Sequence, residues 1–211
     1  MIKRDIALCS FIAVEMIVVG SFALLRKPTT CGLAPQSAVL SVPAAVAIGA
    51  RPDLIGDSKN PFVLIEFGDY QCPPCISTQV TVKQTLARYQ DSLRFGFRQY
   101  PLDNIHPLAM NAALIAEAAR EQGCFWPMHE ALYDLSGQLT TENIDKIIQR
   151  LGLNRDKLMQ SRLSSAKIAV QRDRQDANKL GVPGTPTFIL CCPDRRVIRL
   201  GNLSQVADYV K

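Results

Sequence analysis

Apolar residues are spaced in several different ways along the chain, and each spacing predicts its own element. Residues 6–25 are almost wholly apolar, about the length that a helix needs to span a bilayer. Residues 62–65 form a continuous apolar run that predicts a buried strand, whereas every second residue from 93 to 97 is apolar, which predicts a strand with one buried face. Residues 187–191 and 196–200 predict two more strands on either side of a turn.

The spacing of apolar residues becomes helical between the second and third predicted strands. This block of roughly 75 residues separates the early strands from the late ones and predicts several helices in succession. The five helices cover about 108–123, 125–135, 144–152, 154–163 and 166–181. Two more helices are predicted outside the block, one over 76–89 and a short one capped by Ser204 that reaches about Val210. Strands and helices in this order indicate an α/β fold.

The N-terminal apolar run predicts a membrane anchor or signal segment over residues 1–27. Two basic residues precede the run, which favours an inside N-terminus and an exported remainder. We expect an uncleaved transmembrane helix over 6–25. The alternative is a cleaved signal peptide, since 21–23 resembles a small-x-small cleavage pattern, although the apolar run continues beyond it. Residues 28–47 are rich in Pro, Ala, Thr and Ser and predict a linker with little structure, followed by a domain over 48–211.

Length and charge narrow the class of protein. A chain of 211 residues is long enough for one domain with a full core and additional elements. The net charge of +5 is scattered along the sequence without a basic stripe, so nothing indicates a nucleic-acid partner. Either form of the N-terminal segment puts the domain outside the cytoplasm, where disulfides persist.

Two of the seven cysteines stand where a predicted strand passes into a predicted helix. Cys72 and Cys75 have two residues between them. The unpaired N–H groups and the positive dipole end of a helix favour a thiolate over a thiol. Cys72 is therefore expected to be an exposed nucleophile, and Cys75, one turn further on, the resolving thiol. The alternatives are an inert structural disulfide or half of a zinc site, although no second pair repeats metal-ligand spacing.

Three stretches of the chain resemble one known family. Residues 66–75, which read EFGDYQCPPC, are similar to the active-site segment of the DsbA-like thiol–disulfide oxidoreductases of the thioredoxin superfamily. Residues 181–188 resemble the family's cis-proline loop, and 122–129 resemble a signature of its helical insertion. The match covers about 47–211. It implies a thioredoxin fold with a DsbA-type helical insertion over about 104–181.

The resemblance also implies roles for individual residues. Cys72 and Cys75 would form a redox-active disulfide, with no bound cofactor and no metal. Pro186, which could otherwise be an ordinary turn proline, would be cis and face the disulfide, leaving the backbone of Thr185 free to pair with an extended substrate. Glu66 could simply point to water, but it stands where the family keeps a buried carboxylate, whose raised pKa would let it exchange a proton with Cys75.

Pro73 and Pro74 change what the nucleophile can bind. Proline has no N–H, so the nearest backbone donor left for a Cys72 thiolate is that of Cys75, and no histidine stands between the cysteines. The reduced form should therefore be less stabilised than in strongly oxidising relatives. We predict a reduction potential between those of thioredoxin and DsbA, roughly −270 and −120 mV.

The function that follows is that of an exported, monomeric oxidoreductase that introduces disulfides into reduced or misoxidised extracytoplasmic proteins. The resemblance implies a quinone-linked membrane partner that reoxidises it. The expected location is the bacterial inner membrane, as a single-pass protein with its catalytic domain on the periplasmic side, or the soluble periplasm after signal cleavage. The alternatives are a disulfide reductase or isomerase, and a non-catalytic metal- or partner-binding module of thioredoxin type.

The remaining cysteines and the histidines are open to simpler interpretations. Outside the active pair and the membrane segment, four cysteines allow three pairings, and a second redox relay is a further alternative. They are Cys31, Cys124, Cys191 and Cys192. A disulfide between the two adjacent ones would be strained. His106 and His129 are expected to be structural rather than catalytic.

Overall fold

The computed structural model describes residues 36–50, 52–135 and 137–211. The predicted membrane anchor or signal segment, 1–27, lies outside the described residues, as does the first part of the predicted linker. Among the described helices, none combines the length and the apolar character that crossing a bilayer requires.

A five-stranded mixed sheet forms the centre of the described structure. Its strands are β1 (Ala38–Leu40), β2 (Phe62–Gly68), β3 (Leu93–Gln99), β4 (Thr187–Cys191) and β5 (Val197–Leu200). They lie in the order β1-β5-β4-β2-β3. Among the described strands, β2 and β3 are parallel and the other neighbours are antiparallel. A parallel pair requires a crossover connection, so the chain from β2 to β3 must pass through a helix, and that helix begins at the cysteine pair.

Seven α-helices and a final 3-10 helix are present in the part of the chain that the structure describes. They are α1 (Ala44–Ile48), α2 (Pro73–Arg88), α3 (Ala109–Arg120), α4 (Phe125–Asp134), α5 (Thr141–Arg150), α6 (Arg155–Leu163), α7 (Ser165–Lys179) and the 3-10 helix (Leu203–Asp208). The five helices predicted between the early and late strands are confirmed as α3 to α7. Helices α5 and α6 begin at side-chain caps, Thr140 and Asn154. The predicted cap of the last helix is wrong, since Asn202 accepts from the Ser204 N–H and so occupies the capping position.

The prediction of a linker with little structure over 28–47 is wrong for its described part. Strand β1 pairs antiparallel with β5, and Ala47 in α1 is fully buried. The Arg98 side chain of β3 donates to the carbonyl oxygens of Val46 and Ala47, at 3.0 Å each. The small apolar residues that suggested a flexible composition instead pack closely against the sheet.

Cys191 and Cys192 have their side chains in different apolar clusters. Cys191 packs with Val63 and Cys192 with Leu64, and these two consecutive residues of β2 point to opposite faces of the sheet because side chains alternate along a strand. Both thiols are buried, and burial raises the pKa of each. Two buried thiols on opposite faces are poorly placed for a vicinal disulfide, and they favour structural roles over a second relay.

Candidate active site

Cys72 is the N-cap residue of α2, with extended backbone at φ −74° and ψ 119°. The helix begins at Pro73, three residues earlier than predicted, so both prolines occupy the first turn. There the missing N–H groups cost no helical hydrogen bond, and the fixed φ of proline suits the helix. Pro73 and Pro74 are exposed, whereas Cys75 is fully buried. The sequence therefore folds so that one sulfur lies at the helix end and the other beneath it.

The two thiols have opposite acidities. The hydrogen bond from the Cys75 thiol is the largest of several influences that together lower the pKa of Cys72 from 9.0 to about 6. The Thr185 hydroxyl and the Cys75 N–H also lower it, against burial and the Asp69 charge, which raise it. Burial raises the pKa of Cys75 far above its ordinary value. The pKa of Cys72 lies between the pKa values of the reactive cysteines of thioredoxin, about 7, and DsbA, about 3.5.

The cis-proline loop covers the nucleophile. The Thr185–Pro186 peptide bond is cis, as the family resemblance implied, and the Cys72 thiol donates to the Thr185 carbonyl oxygen at 3.4 Å. The expectation of an exposed Cys72 is wrong, since the residue is only 4% exposed beneath this loop. Beside the loop is a cavity of about 640 Å³, lined by residues of the loop, of α2 and of the 3-10 helix, including Pro186, Thr78 and Ser204.

Glu66 lies in β2 and is fully buried. Its neighbours in register are Phe97 of β3 and Phe188 of β4. Burial raises the pKa of Glu66 from 4.5 to about 8, the hydrogen bond from Gln79 lowers it, and the charge of Cys72 raises it further. The carboxyl group also acts on the pKa of Cys75, which it raises. At neutral pH Glu66 is therefore largely protonated, next to the thiol that leaves during exchange.

Asp69 holds the loop that carries Cys72. Its carboxylate accepts from the Gln71 N–H at 2.7 Å, from the Leu102 N–H at 2.9 Å and from Nδ1 of His106 at 2.8 Å. The Asp69 carbonyl oxygen accepts from the Cys72 N–H at 3.2 Å. The loop after β2 is thereby fixed to the loop after β3, and His106 contributes to structure as predicted.

His129 is also occupied by a structural contact. It is buried and lies 3.1 Å from the Tyr70 hydroxyl through Nδ1, and burial lowers the pKa of its imidazole to about 3. Within the described ranges, no group of three or more His, Cys, Asp or Glu side chains could hold a metal ion.

Comparison with known proteins agrees with this geometry. A family model described as thioredoxin matches residues 51–198. The chain belongs to the thioredoxin family. Among solved structures, a thioredoxin-like oxidoreductase from Silicibacter pomeroyi is similar to this thioredoxin-family protein at a TM-score of 0.67 and 25% identity, covering 79% of this chain and 95% of that one.

Two further solved structures are similar to this protein in fold. The thiol-disulfide exchange protein alpha-DsbA2 from Wolbachia pipientis has a TM-score of 0.64 and 20% identity, covering 78% of this chain and 88% of that one. BdbD from Bacillus subtilis in its oxidised form has a TM-score of 0.60 and 18% identity, covering 74% and 88%.

Curated relatives match over a shorter stretch. A Na(+)/H(+) antiporter NhaA 3 from Salinispora tropica is 34% identical over 143 residues, which is 66% of this chain and 22% of that protein. A Na(+)/H(+) antiporter NhaA 1 from Mycobacterium sp. is 31% identical over the same length, with 23% of that protein covered. The chain thus spans about a fifth of the length of the curated relatives it matches.

Of the predicted site residues of this thioredoxin-family protein, the structure brings Cys75, Thr185 and Glu66 into electrostatic or hydrogen-bonding range of Cys72. Sequence reasoning missed Asp69, although an aspartate just after a strand and before a turn is a usual signal for side-chain-to-backbone bonding. It also missed the partners of Glu66, which come from elements distant in sequence.

Proposed function

We propose that the protein is a thiol–disulfide oxidoreductase that introduces disulfides into exported proteins. The observation that supports this most is the opposite acidity of two thiols at one helix end, where the pKa of Cys72 is lowered to about 6 and that of Cys75 is raised by burial. A structural disulfide has no need of such a difference, whereas exchange needs a good leaving thiolate on one side.

The reaction starts from the Cys72–Cys75 disulfide. A substrate thiolate attacks the Cys72 sulfur, a mixed disulfide forms, and the Cys72–Cys75 bond breaks with its electron pair on Cys75. The leaving sulfur takes the proton of Glu66. A second substrate thiolate then attacks the mixed disulfide and releases Cys72 as a thiolate. The substrate has lost two electrons to form its disulfide, and the protein holds them as the reduced pair.

The cis-proline loop and its cavity suit an extended peptide. In the proposed complex, the backbone of Thr185 pairs with the substrate, which adds a short strand beside the loop. The cavity of about 640 Å³ next to Pro186 would receive flanking side chains. Both prolines after Cys72 are exposed, so the substrate approaches over a surface without competing N–H donors. The proposed substrates are reduced or misoxidised exported proteins.

The proposal extends to partner and location. A quinone-linked membrane protein would reoxidise the dithiol. Residues 6–25 would hold the monomeric protein at the inner membrane, with this domain on the periplasmic side. If this segment is cleaved as a signal peptide, the protein would instead be soluble in the periplasm. Antiport is no part of this proposal, because the segment shared with the antiporter relatives is about a fifth of those proteins.

Refolding of a test protein distinguishes this function from its alternatives. The full chain is oxidised and mixed with a substrate supplied either reduced or with scrambled disulfides. Oxidation of the reduced form without reshuffling supports the proposal, and reshuffling would indicate an isomerase. Cys72→Ser should abolish turnover, while Cys124→Ser, outside the pair, should retain it. Absence of turnover together with tight metal uptake that Cys72→Ser removes would instead indicate a metal-binding module.

A further inference from the structure

The cavity beside the cis-proline loop extends to the first described residue of the chain. Gln36 lines it together with Pro186 of the loop and Thr81 of α2. Residues 28–35, which come directly before Gln36, read PTTCGLAP and contain Cys31. Cys31 lies outside the described residues and has no role in the proposed function.

The register of the sheet places the start of β1 at the same edge as the active site. Strand β1 pairs antiparallel with β5, and β5 pairs antiparallel with β4, so β1 and β4 start at one edge. Continuing the register by two residues from Ala38 places Gln36 level with Thr187, the first residue of β4, which comes directly after Pro186. Strand β2, which leads to the cysteine pair, ends at this edge as well, since Phe67 pairs with Thr187. The chain therefore joins the sheet at the edge that carries the active site.

Cys31 is close enough along the chain to reach Cys72. Neighbouring strands lie about 4.8 Å apart, so Gln36 is about 10 Å from Thr187 across β5. Thr185 is two residues before Thr187, at most about 7 Å further, and its carbonyl oxygen accepts from the Cys72 thiol at 3.4 Å. Taken at right angles, these two steps leave about 12 Å between Gln36 and Thr185. The five residues from Cys31 to Gln36 span up to about 17 Å when extended, which is more than this distance.

The composition of the segment matches that of the cavity. Residues 28–35 contain no charged side chain. Among the described residues that line the cavity, Arg199 is the one that carries a charge, and its guanidinium group donates to the Gly181 carbonyl oxygen. The rest of the lining consists of hydroxyl, amide and apolar groups, such as those of Thr78 and Leu203. An uncharged peptide can therefore lie in the cavity without burying an unpaired charge.

The other described thiols are less well placed for an exchange with Cys31. Cys191 ends β4 and Cys192 follows it, at the opposite end of the strand from the cis-proline loop, and both pack in the apolar clusters of the sheet. Cys124 packs against the core cluster of the helical insertion. Cys72 contacts the loop that borders the cavity, so it is the thiol that a peptide in the cavity meets.

On the basis of the proposed function, we propose that residues 28–35 occupy this cavity when no substrate is bound, and that Cys31 exchanges with Cys72 as a tethered competitor of the substrate. The Cys31 thiolate attacks the Cys72 sulfur, the Cys31–Cys72 bond forms, and the Cys72–Cys75 bond breaks with its electron pair on Cys75. Cys31 gives up one proton before the attack and Cys75 gains one after it, so the step is an exchange without net oxidation. A substrate thiolate then attacks Cys72 and releases Cys31 as a thiolate.

The tether changes the competition between Cys31 and external thiols. A short linker gives an attached group an effective concentration of about 1 mM, about 100-fold above that of a thiol supplied at about 10 µM. A substrate thiol therefore has to displace Cys31 from Cys72, and its peptide has to displace residues 28–35 from the cavity. Exchange is then restricted to substrates that bind the cavity as well as react.

The test measures this effective concentration in the full chain that carries Cys75→Ser. The dilute protein is equilibrated with oxidised and reduced glutathione, and the partners of Cys72 are quantified by peptide mass mapping. Oxidised glutathione forms a mixed disulfide at Cys72, and the Cys31 thiolate displaces glutathione from it as a thiolate. Cys31 and glutathione should be bonded to equal fractions of Cys72 at about 1 mM reduced glutathione. With Cys31→Ser in the same background, Cys72 should carry glutathione alone.

Two substitutions in α2 distinguish occupation of the cavity from simple reach. Thr81 is exposed and lines the cavity, whereas Gln84 is exposed on the same helix and does not line it. Thr81→Arg places a long charged side chain in the cavity and should lower the effective concentration of Cys31 about tenfold, because the uncharged segment then has to bury or displace that charge. Gln84→Arg adds the same charge outside the cavity and should leave the effective concentration unchanged.

Several outcomes would overturn the proposal. They are an effective concentration below about 0.1 mM, bonding of Cys72 mainly to another cysteine, and a covalent dimer. Equal values for Thr81→Arg and Gln84→Arg would overturn it too, because the segment would then reach Cys72 without occupying the cavity. If Cys75→Ser does not fold, Cys75→Ala, which keeps a small group at this buried position, replaces it.

The measurement requires no turnover, so it is independent of the refolding assay. A failed refolding assay with the expected Cys31–Cys72 bond would count against the oxidase function alone. Normal refolding activity with no Cys31–Cys72 bond would count against the tethered competitor alone.

Discussion

The cost of burying Glu66 can be measured as a dependence of stability on pH. The pKa of its carboxyl group is about 8 in the folded reduced protein, against an ordinary value of 4.5. Between these two values the folded state binds more protons than the unfolded state, so the free energy of unfolding falls as the pH rises. At pH 7, integration over the fully buried group gives a destabilisation of about 3 kcal/mol relative to low pH. Glu66→Gln cannot ionise and should remove this dependence.

The assay is urea unfolding of the reduced wild type and Glu66→Gln from pH 4 to pH 8. The variant is expected to gain stability relative to wild type progressively above pH 4.5, reaching about 3 kcal/mol at pH 7. If Glu66→Gln also changes packing, the free energy of unfolding changes by the same amount at every pH, so the dependence of the difference on pH is not affected. Asp156→Asn, at an exposed position of α6, removes a carboxyl group but keeps Glu66, so its free energy of unfolding should keep the wild-type dependence on pH. A difference between Glu66→Gln and wild type that stays constant with pH would refute a raised carboxyl pKa at this position.

Three further predictions concern the nucleophile, the redox balance and the fold. Thr185→Val removes a hydroxyl that favours the Cys72 thiolate. If the pKa of Cys72 rises by about one unit, the thiolate fraction at pH 7 falls from about nine-tenths to about one-half. The rate of Cys72 alkylation at pH 7 should fall accordingly, and an unchanged rate would contradict the prediction. Equilibration with glutathione should give a reduction potential between roughly −270 and −120 mV, because Pro73 and Pro74 remove backbone N–H donors from the Cys72 thiolate. A value near that of DsbA would show that the number of N–H donors does not control the reduction potential. Arg98→Met leaves the largely buried Asp173 without its cation, while Asp176 keeps Lys179. The variant should destabilise the protein by about 3–5 kcal/mol in denaturant unfolding, whereas Arg196→Met at an exposed pair should cost under about 1 kcal/mol. Equal losses would contradict the structural role of Arg98.

The helical insertion was the most predictable part of the fold. Helices α3 to α7 have apolar positions at helical spacing and recognisable ends, such as the Asn154 cap of α6. Strand β2 was equally clear, because it is buried along almost its whole length and therefore reads as a continuous apolar run. In these elements the apolar positions in the sequence are also the buried positions in the fold, so the sequence pattern is enough to predict the element.

Two expectations failed where the decisive contacts are distant in sequence. The linker composition suggested little structure, but β1 gains hydrogen bonds from β5, about 160 residues away in the chain. Cys72 was expected to be exposed, but the Thr185–Pro186 loop covers it. The local spacing of apolar residues predicts neither the sheet edge that β1 joins nor the contact with a loop 113 residues away.

The sequence predicted the reacting residues of the candidate site but not the side chains that contact them. Spacing and resemblance identified Cys72, Cys75 and Glu66. Gln79 could not be found, because nothing in a single sequence indicates which side chain of a long helix will contact a given buried carboxyl group. The pKa of Glu66 depends on its burial and on the hydrogen bond from Gln79.

Alkylation of the two thiols across pH tests the central claim most directly. The reduced full chain is reacted with iodoacetamide between pH 4 and pH 10, and each site is quantified by mass spectrometry. Cys72 should react with a midpoint near pH 6, while Cys75 should stay unreactive throughout the neutral range. Equal and slow reaction of both thiols at pH 7 would contradict the account and leave an inert pair at the end of α2.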